Sequence, residues 1–406
     1  MGSNFNINVK KEEKDDEIDE EIEEELSEEK EIRKEQTSAK QQLIKLMIIV
    51  MALFFGLLII LWLVSVLMPR KYTYEQVEEI LEKAAKEYFA DYPENLPKTE
   101  GSGVEVDYTN LVAAEKMKDL SSYLGEGTMC SSAVVQVQKS GDDYLYTPYL
   151  NCGEDYTTME LYKAVINQGT VNQGQYGLYR MNSDYVYRGE KVNNYVQLEE
   201  ALWRIVKVTS KGNVVLIKDE EAGSTVPFDD RYNQEREWSS GINSYGASRL
   251  KDAIENMYQD PKKDLNEIFL SKNDKKRLVT FNLCTGKRAE TDTGSDNSLE
   301  CKTTQANTKV GLLTASEYMR ASIDSNCTTT VSKSCSNYNY LKTDYSWWLV
   351  TANSASTSEA YSISDGGVIE SDTTTSYAFV RPVIYLNERT MYKSGKGTKS
   401  KPFKLK

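Results

Sequence analysis

The feature that most constrains this chain is an uninterrupted apolar run from Leu46 to Met68, which contains no charge and no proline. As a helix its 23 residues would span roughly 35 Å, more than the roughly 30 Å hydrocarbon core of a bilayer. A helix buried in a soluble domain rarely stays apolar on every face for this length. The run therefore predicts one transmembrane helix at 46–68, with the lipid bilayer as a partner.

The cysteines orient the chain, because all of them follow the apolar run. They are Cys130, Cys152, Cys284, Cys301, Cys327 and Cys335. An even number of cysteines confined to one side is typical of an oxidising exterior opposite a reducing cytosol. We expect a cytoplasmic N-terminus and extracellular domains at the cell membrane. No small-residue cleavage pattern follows the run, which favours an uncleaved signal anchor.

The segment before the apolar run is strongly acidic. Residues 11–35 hold 15 acidic and 5 basic side chains, whereas the whole chain has a formal charge of −13. Dense like charge without aromatic residues predicts a disordered cytosolic tail over 1–45. The tail is either a docking site for a basic cytosolic partner or a solubilising segment. The charge pattern supplies no basic face for nucleic acid.

A membrane-proximal unit is predicted at 72–170. Thr73 and Gln76 fit a capping box, and the apolar residues that follow recur at helical spacing up to Pro93. A second helix is predicted near 110–120. Two strand-like segments at 133–138 and 144–150 flank a turn and predict a hairpin.

The same hairpin predicts a disulfide. Cys130 and Cys152 lie 11 residues on either side of Gly141, so antiparallel pairing would place them opposite each other. Among the remaining cysteines, Cys284 and Cys301 bracket one polar loop, and Cys327 and Cys335 bracket another. Nearest-neighbour pairing is the simplest of the possible connectivities.

A distal unit is predicted at 175–406, with fold class α+β. Apolar runs at 202–208 and 214–219 around a TSKGN turn predict a second hairpin. Residues 236–258 place Leu250, Ile254 and Met257 on one helix face. Strand-like segments near 345–387 complete a pattern typical of a helix-covered antiparallel sheet.

Several of these segments resemble an uncharacterised family of bacterial surface domains with a C-type-lectin-like pattern, similar to the formylglycine-generating enzyme branch. The matching pieces are Trp203, Trp238, Trp347-Trp348-Leu349, Asp365-Gly366-Gly367 and Val380-Arg381-Pro382-Val383, with the tail 394–405. The resemblance implies an extracellular recognition module. The apolar run, the helix after it and the segment 146–158 are similar in layout to pilin-like anchored proteins, although the prepilin signature is absent.

The inventory of reactive side chains argues against most enzymes. The chain has no histidine, which removes imidazole acid–base catalysis, nucleophile–histidine pairs and histidine metal sites. No CxxC, phosphate-binding or dinucleotide-binding loop is present. We expect no enzyme, no cofactor and no metal site. A carboxylate pair of the glycosidase type remains an alternative, as for an envelope hydrolase.

Three residues are candidates for contact with an extracellular ligand, a glycan or a protein. Trp347 and Trp348 are adjacent, so on a strand they point to opposite faces, and one of them could be exposed for stacking. A strand buried on both faces is the alternative. Arg381 could contact a ligand or instead bridge buried carbonyl groups. The acids of 292–297 and the 365–366 turn are better explained as solvated loop residues than as calcium ligands.

These observations together predict a single-pass surface protein that presents an extracellular recognition or adhesion domain. The alternative is a structural or assembly subunit of a pilus-like or cell-envelope complex. The abundance of tyrosine, 27 residues, favours recognition, because tyrosine combines large contact area with a polar tip.

Overall fold

The computed structural model describes residues 40, 43–59, 72–100, 102–125, 129–153, 155–231 and 241–406. The chain divides into two compact units, Met1–Val77 with Lys118–Gly127, and Glu78–Met117 with Thr128–Lys406. The predicted acidic tail at 11–35, residues 60–68 of the predicted span and Trp238 lie outside the described residues.

After the helical residues 43–59, the α-helices of the described chain are α1 (Tyr74–Asp91), α2 (Tyr108–Ala113), α3 (Ser121–Leu124), α4 (Leu161–Ile166), α5 (Arg249–Gln259), α6 (Lys272–Arg277) and α7 (Ala315–Ala321). The strands up to the middle of the chain are β1 (Gly103–Asp107), β2 (Ser132–Ser140), β3 (Asp143–Asn151), β4 (Gly177–Met181), β5 (Asp184–Arg188), β6 (Tyr195–Leu198), β7 (Ala201–Val208), β8 (Val214–Lys218) and β9 (Ala222–Pro227). The later strands are β10 (Phe281–Cys284), β11 (Lys287–Arg288), β12 (Thr304–Thr308), β13 (Val310–Gly311), β14 (Trp347–Asn353), β15 (Glu359–Ile363), β16 (Ile369–Thr373), β17 (Tyr377–Val380), β18 (Val383–Leu386), β19 (Tyr392–Ser394) and β20 (Lys404–Leu405).

In the first unit, residues 43–59 are helical and their large apolar side chains are exposed, including Leu46 at 61% and Leu53 at 69%. Within the described residues, we find no helix with the length and apolar character needed to traverse a membrane. The predicted capping box is present: Thr73 N donates to Gln76 Oε1 at 2.9 Å, and Gln76 N donates to Thr73 Oγ1 at 3.3 Å.

The second unit begins with a helix packed on a small antiparallel sheet. Strands β1, β2 and β3 pair in that order, and the β2–β3 register places Ser140 opposite Asp143. This register confirms the predicted hairpin and its turn at Gly141, where φ is +60°. Phe89 of α1 is buried and lies 6.3 Å from the ring of Tyr146 on β3.

The helix predicted near 110–120 is shorter than expected. It is α2, and it ends where Glu115 adopts a left-handed φ of 58°. Lys116 N donates to Leu111 O and Glu115 N to Val112 O, both at 2.9 Å, which is a Schellman ending. Because a non-glycine residue stands at the left-handed position, the usual sequence signal for a helix end is missing.

The rest of the second unit is built on two larger sheets, with two small two-stranded sheets, β10-β12 and β19-β20, beside them in sequence. One has the order β16-β15-β14-β17-β9 with β11 beside β14, and the other has the order β13-β18-β8-β7-β5-β4 with β6 beside β7. Most neighbours are antiparallel, so the fold is α+β as predicted. The predicted second hairpin is β7–β8, and α5 buries Leu250, Ile254 and Met257.

The cysteines pair as nearest neighbours: Cys130–Cys152, Cys284–Cys301 and Cys327–Cys335. The loop between Cys284 and Cys301 is also held from inside by Arg288, which donates to Asp292 O at 2.7 Å and Gly294 O at 2.6 Å. Arg288 and Glu300 are both buried and lie 3.6 Å apart. A disulfide and a buried ion pair therefore organise a loop with few apolar residues.

Residues far apart in sequence meet beside α1. Lys406 Nζ donates to Glu78 Oε2 and, at 2.8 Å, to the Tyr156 hydroxyl. Thr158 Oγ1 donates to the other oxygen of Glu78. The neighbouring backbone is joined as well, since Leu161 N donates to Thr390 O at 2.7 Å. This group of contacts, the Lys406 clasp, links the start of the second unit to its last strand.

Candidate functional site

The two tryptophans that were candidates for ligand contact have no exposed surface. Trp348 donates through Nε1 to Val226 O at 2.8 Å and packs edge-on against Phe228. Trp347 packs edge-on against Tyr318, with ring centroids 5.9 Å apart. Strand β14 is thus buried on both faces, which was the alternative interpretation. The expectation of an exposed ring is corrected, because neither tryptophan offers a face on which a ligand could stack.

Arg381 is also buried, with 1% exposure. Its guanidinium donates to Lys218 O at 3.1 Å, to Leu341 O at 2.9 Å and to Asp219 O at 3.1 Å. It also lies over the ring of Trp347 at 5.0 Å. Arg381 therefore bridges carbonyl groups, as the structural alternative predicted, and the ligand-contact interpretation is corrected because no surface of the side chain is open to a ligand.

The loop acids considered as calcium ligands hold turns instead. Asp292 Oδ2 accepts from Ala289 N at 2.8 Å, and Asp296 Oδ1 accepts from Ser298 N at 3.0 Å. These hydrogen bonds occupy one oxygen of each carboxylate and assign both acids to turns. Across the part of the chain that the structure describes, no group of three or more His, Cys, Asp or Glu side chains could hold a metal ion.

The best candidate for a recognition site is a surface groove of about 540 Å³, called here the tyrosine groove. It lies between the segment after α4, the start of β4 and the chain around β19. Its lining residues are Met159, Ala164, Asn167, Gln168, Gly169, Val171, Tyr176, Gly177, Leu178, Tyr187, Lys191, Val192, Asn193, Tyr392, Gly395, Lys396 and Phe403.

Gln168 fixes the shape of the groove through both ends of its amide. Its Oε1 accepts from the buried Tyr187 hydroxyl at 2.7 Å, and its Nε2 donates at 3.3 Å to both Asn193 O and Lys396 O. Burial raises the pKa of Tyr187, so this hydroxyl stays protonated and remains a donor. The glutamine thus joins the two walls of the groove.

The opposite wall depends on a glycine and two aromatic rings. Tyr392 donates its hydroxyl to Gly395 O at 2.9 Å and packs edge-on against Phe403, with ring centroids 5.9 Å apart. Gly395 has a φ of +110°, and a Cβ built there would lie 2.0 Å from Pro402 O. A side chain at Gly395 would therefore move this wall.

The remaining polar groups of the groove face solvent. Asn167 and Asn193 are exposed, and Lys191 and Lys396 are the charged lining residues. Neither lysine has an ion pair with any described residue, and the lining includes no carboxylate. Amides and tyrosines suit hydrogen bonding and stacking with a polar ligand. The lining lacks the acid–nucleophile pair that a glycosidase needs.

Sequence reasoning missed this groove because its walls come from segments more than 200 residues apart, joined by the Gln168–Lys396 hydrogen bond. The one usable signal in the sequence was the abundance of tyrosine. It indicated that the protein recognises a ligand, but it did not indicate where the binding site lies. Tyr187 lies in the β4–β5 hairpin and Tyr176 directly precedes it, whereas Tyr392 lies on β19. Periodicity within a segment does not report which segments meet.

Part of the chain matches a known protein family. Residues 211–388 match a family model described as a domain of unknown function, DUF6273. The matched range contains Trp347, Trp348 and Arg381, whereas every lining residue of the tyrosine groove lies outside it. No curated protein and no solved structure matches the chain.

Proposed function

We propose that this chain is a single-pass, membrane-anchored bacterial surface protein whose disulfide-bonded part is an extracellular recognition or adhesion domain. The observation that carries the proposal is the cysteine distribution. The three disulfides all lie within the segment 130–335, and no cysteine precedes the apolar run. Disulfides persist in oxidising compartments, which favours an extracellular location for residues 69–406 and a cytoplasmic N-terminus.

The anchor in this proposal is the apolar run at 46–68. Its described part is helical, and its large side chains, such as Phe55 and Leu57, are exposed. Contiguous exposed apolar surface of this kind favours contact with lipid or another apolar partner. The acidic segment at 11–35 would then face the cytosol, where it remains a proposed docking site for a basic partner.

The tyrosine groove is the proposed recognition site. Its exposed amides, tyrosines and unpaired lysines suit a polar extracellular ligand, a glycan in the first instance. The lectin-like character of the distal unit, suggested by the Trp347-Trp348 and Arg381-Pro382 segments, is part of the same proposal. In this proposal those segments stabilise the fold, and the tyrosine groove binds the extracellular ligand.

Topology can be tested with an impermeant thiol reagent on intact cells that express the full chain. We expect no labelling before reduction and labelling of the C-terminal part after mild reduction, because each cysteine is paired. Labelling before reduction would contradict the disulfides. Absence of labelling after reduction, with labelling restored by permeabilising the cells, would reverse the topology and end the surface proposal.

Recognition can be tested by presenting the full chain in detergent to neutral and anionic glycans. The variant Asn167→Ala/Asn193→Ala should lose about tenfold in affinity, roughly one good hydrogen bond's worth of free energy. Asn172→Ala is the matched control, since Asn172 is exposed and outside the groove lining. Equal binding by the groove variant and the control would remove the groove from the proposal.

A second candidate, a structural subunit of a pilus-like or envelope assembly, is favoured by one observation. Helix α1 follows the apolar run and packs on the three-stranded sheet through Phe89 and Tyr146, a layout similar to that of pilins. Electron microscopy of cells that express the chain distinguishes the two candidates. Filaments that disappear when the gene is deleted would support assembly over ligand recognition.

A further inference from the structure

A second surface cleft, of about 270 Å³, contains a buried amine that the proposed function does not use. We call it the lysine cleft. It is lined by Glu199, Glu200, Ala201, Leu202, Lys218, Glu220, Lys263, Asn266, Glu267 and Phe269. It shares no lining residue with the tyrosine groove.

Lys218 is the last residue of β8 and is held rigidly by its backbone. Its N–H donates to Pro382 O at 3.0 Å, its carbonyl accepts from Arg381 Nε at 3.1 Å, and it pairs with Trp203 across the hairpin. The residue is only 2% exposed, yet it is one of the lining residues of the cleft. The buried Arg381 thus acts as a positioning residue for the strand end that carries this amine.

The Lys218 amine has few partners for a buried cation. Nζ donates to Glu221 O at 3.0 Å, and this carbonyl also accepts from Asn266 Nδ2 at 3.0 Å. No carboxylate of the described chain forms an ion pair with Lys218 within 4.0 Å. An ammonium carries three donors, and burying it with one shared acceptor is costly. Loss of the proton removes that cost.

The electrostatics of the site agree with this geometry. Burial, with a smaller contribution from the nearby Arg381, lowers the pKa of Lys218 to about 8 against the opposing influence of Glu220, Glu221 and Asp219. A substantial fraction of the amine is therefore neutral near pH 7.5, whereas an ordinary lysine is almost fully charged. A neutral, fixed amine in a cleft is a nucleophile.

The rim of the cleft limits which ligands can approach. Carboxylates predominate, and they belong to Glu199, Glu200, Glu220 and Glu267. Lys263, the other lysine of the lining, is already paired with Glu200 at 2.9 Å. Phe269 is 44% exposed and supplies an apolar wall. The rim repels anions and accepts neutral or cationic compounds of small size.

We propose that Lys218 is a reactive amine that captures a small neutral or cationic aldehyde in the lysine cleft as an imine. The lone pair of Nζ attacks the carbonyl carbon, the nitrogen loses a proton and the carbonyl oxygen gains one, which gives a carbinolamine. Loss of water then forms the C=N bond between Nζ and the former carbonyl carbon. The step consumes no oxidant or reductant.

The test uses the unmodified full chain in detergent, with propanal as the neutral aldehyde and 2-picoline borane, a neutral reductant, to trap each imine. Peptide mass spectrometry then follows propylation of individual lysines at pH 7.5. Lys218 should be labelled about tenfold faster than Lys263, because its larger neutral fraction outweighs its lower intrinsic nucleophilicity. Lys207, which is also buried but is ion-paired with Glu317 and lies outside the cleft lining, is the internal control for burial with a counter-ion and should react slowest.

The charge of the probe provides the second arm. With glyoxylate, an anionic aldehyde, Lys218 should no longer be labelled faster than Lys263. In the variant Glu220→Gln/Glu267→Gln, the faster labelling of Lys218 by glyoxylate should return in part. A rate for Lys218 no greater than that for Lys263 with propanal would overturn the proposal. Equal preference for Lys218 with both aldehydes would overturn the part of it that assigns selectivity to the acidic rim.

Discussion

The hairpin of β7 and β8 carries two buried lysines whose surroundings are opposite. Lys207 on β7 donates to Glu317 Oε1 at 2.8 Å, and this carboxylate outweighs burial and raises the pKa of Lys207. Lys218 on β8 is buried more completely but has no such partner, and its pKa falls to about 8. The two strands are paired along most of their length.

The difference shows that burial alone does not determine the state of a lysine. A counter-ion keeps Lys207 charged and makes it part of the core, where Glu317 also caps α7 through Thr314. Without a counter-ion, burial lowers the pKa of Lys218, so that a neutral fraction of the amine forms near neutral pH. The charge of Lys207 is therefore balanced by Glu317 within the chain. Lys218 has no such counter-ion, and its amine is left available to a ligand.

The largest effect is expected at the paired lysine. Lys207→Met leaves Glu317 buried without its counter-ion and should lower the free energy of unfolding by about 3–5 kcal/mol. Guanidinium unfolding of the full chain in detergent, followed by tryptophan fluorescence, measures the change. The double variant Lys207→Met/Glu317→Gln should recover most of the loss, since it removes both charges. A loss below about 1 kcal/mol in the single variant would mean that the pair contributes little.

A somewhat smaller effect is expected at another buried cation, Arg381. Arg381→Lys should lower the free energy of unfolding by about 2–4 kcal/mol, because an ammonium cannot reproduce the planar fork that serves three carbonyls. The same unfolding assay applies. In addition, the released end of β8 should reduce the labelling preference of Lys218. Unchanged labelling of Lys218 together with lost stability would mean that Arg381 stabilises the fold but does not position Lys218.

At Lys218 the expected sign is opposite. Lys218→Met should raise the free energy of unfolding by about 1–3 kcal/mol at pH 7, because it removes a poorly satisfied cation. The pKa near 8 lies below the ordinary 10.5. The unfolded chain therefore binds more protons between these values, and wild-type stability should gain from this residue as pH rises through that window. Unfolding at pH 7 and pH 10 checks it: the advantage of the variant should shrink at pH 10. A destabilised variant at both pH values would contradict the assignment.

The smallest effect is expected in the tyrosine groove. Asn193→Ala should change the free energy of unfolding by less than about 0.5 kcal/mol, because its side chain is exposed. Only ligand binding should respond. A loss of stability well above about 0.5 kcal/mol would show that the Asn193 side chain stabilises this wall of the groove. The groove would then be a packing feature of the fold and not a binding site.

Local patterns were sufficient to predict many of the elements of the fold. The apolar runs around TSKGN gave the β7–β8 hairpin, and the spacing of Leu250, Ile254 and Met257 gave the buried face of α5. Both depend on neighbours within a few residues, where periodicity is informative. The disulfide Cys130–Cys152 was predictable for the same reason, since one hairpin register places the two cysteines together.

What sequence reasoning could not supply was the set of partners that one buried side chain meets. Lys207 and Lys218 both interrupt apolar strands and look alike in sequence, but the partner of Lys207 lies 110 residues away. Trp347 and Trp348 were correctly placed on opposite faces of a strand, yet whether each face was covered depended on Tyr318 and Phe228. A lysine within an apolar run was the one local signal of the lysine cleft.

The Lys406 clasp has a mechanical consequence. If the chain is anchored in a membrane ahead of α1, tension on the outer domain enters the second unit at Glu78. That residue is hydrogen-bonded to Lys406, which in turn donates to the Tyr156 hydroxyl, so the load passes into the closing strands without stretching the intervening polypeptide. The small sheet of β1 to β3 would then carry less of the load, and rupture would begin among the contacts of the Lys406 clasp.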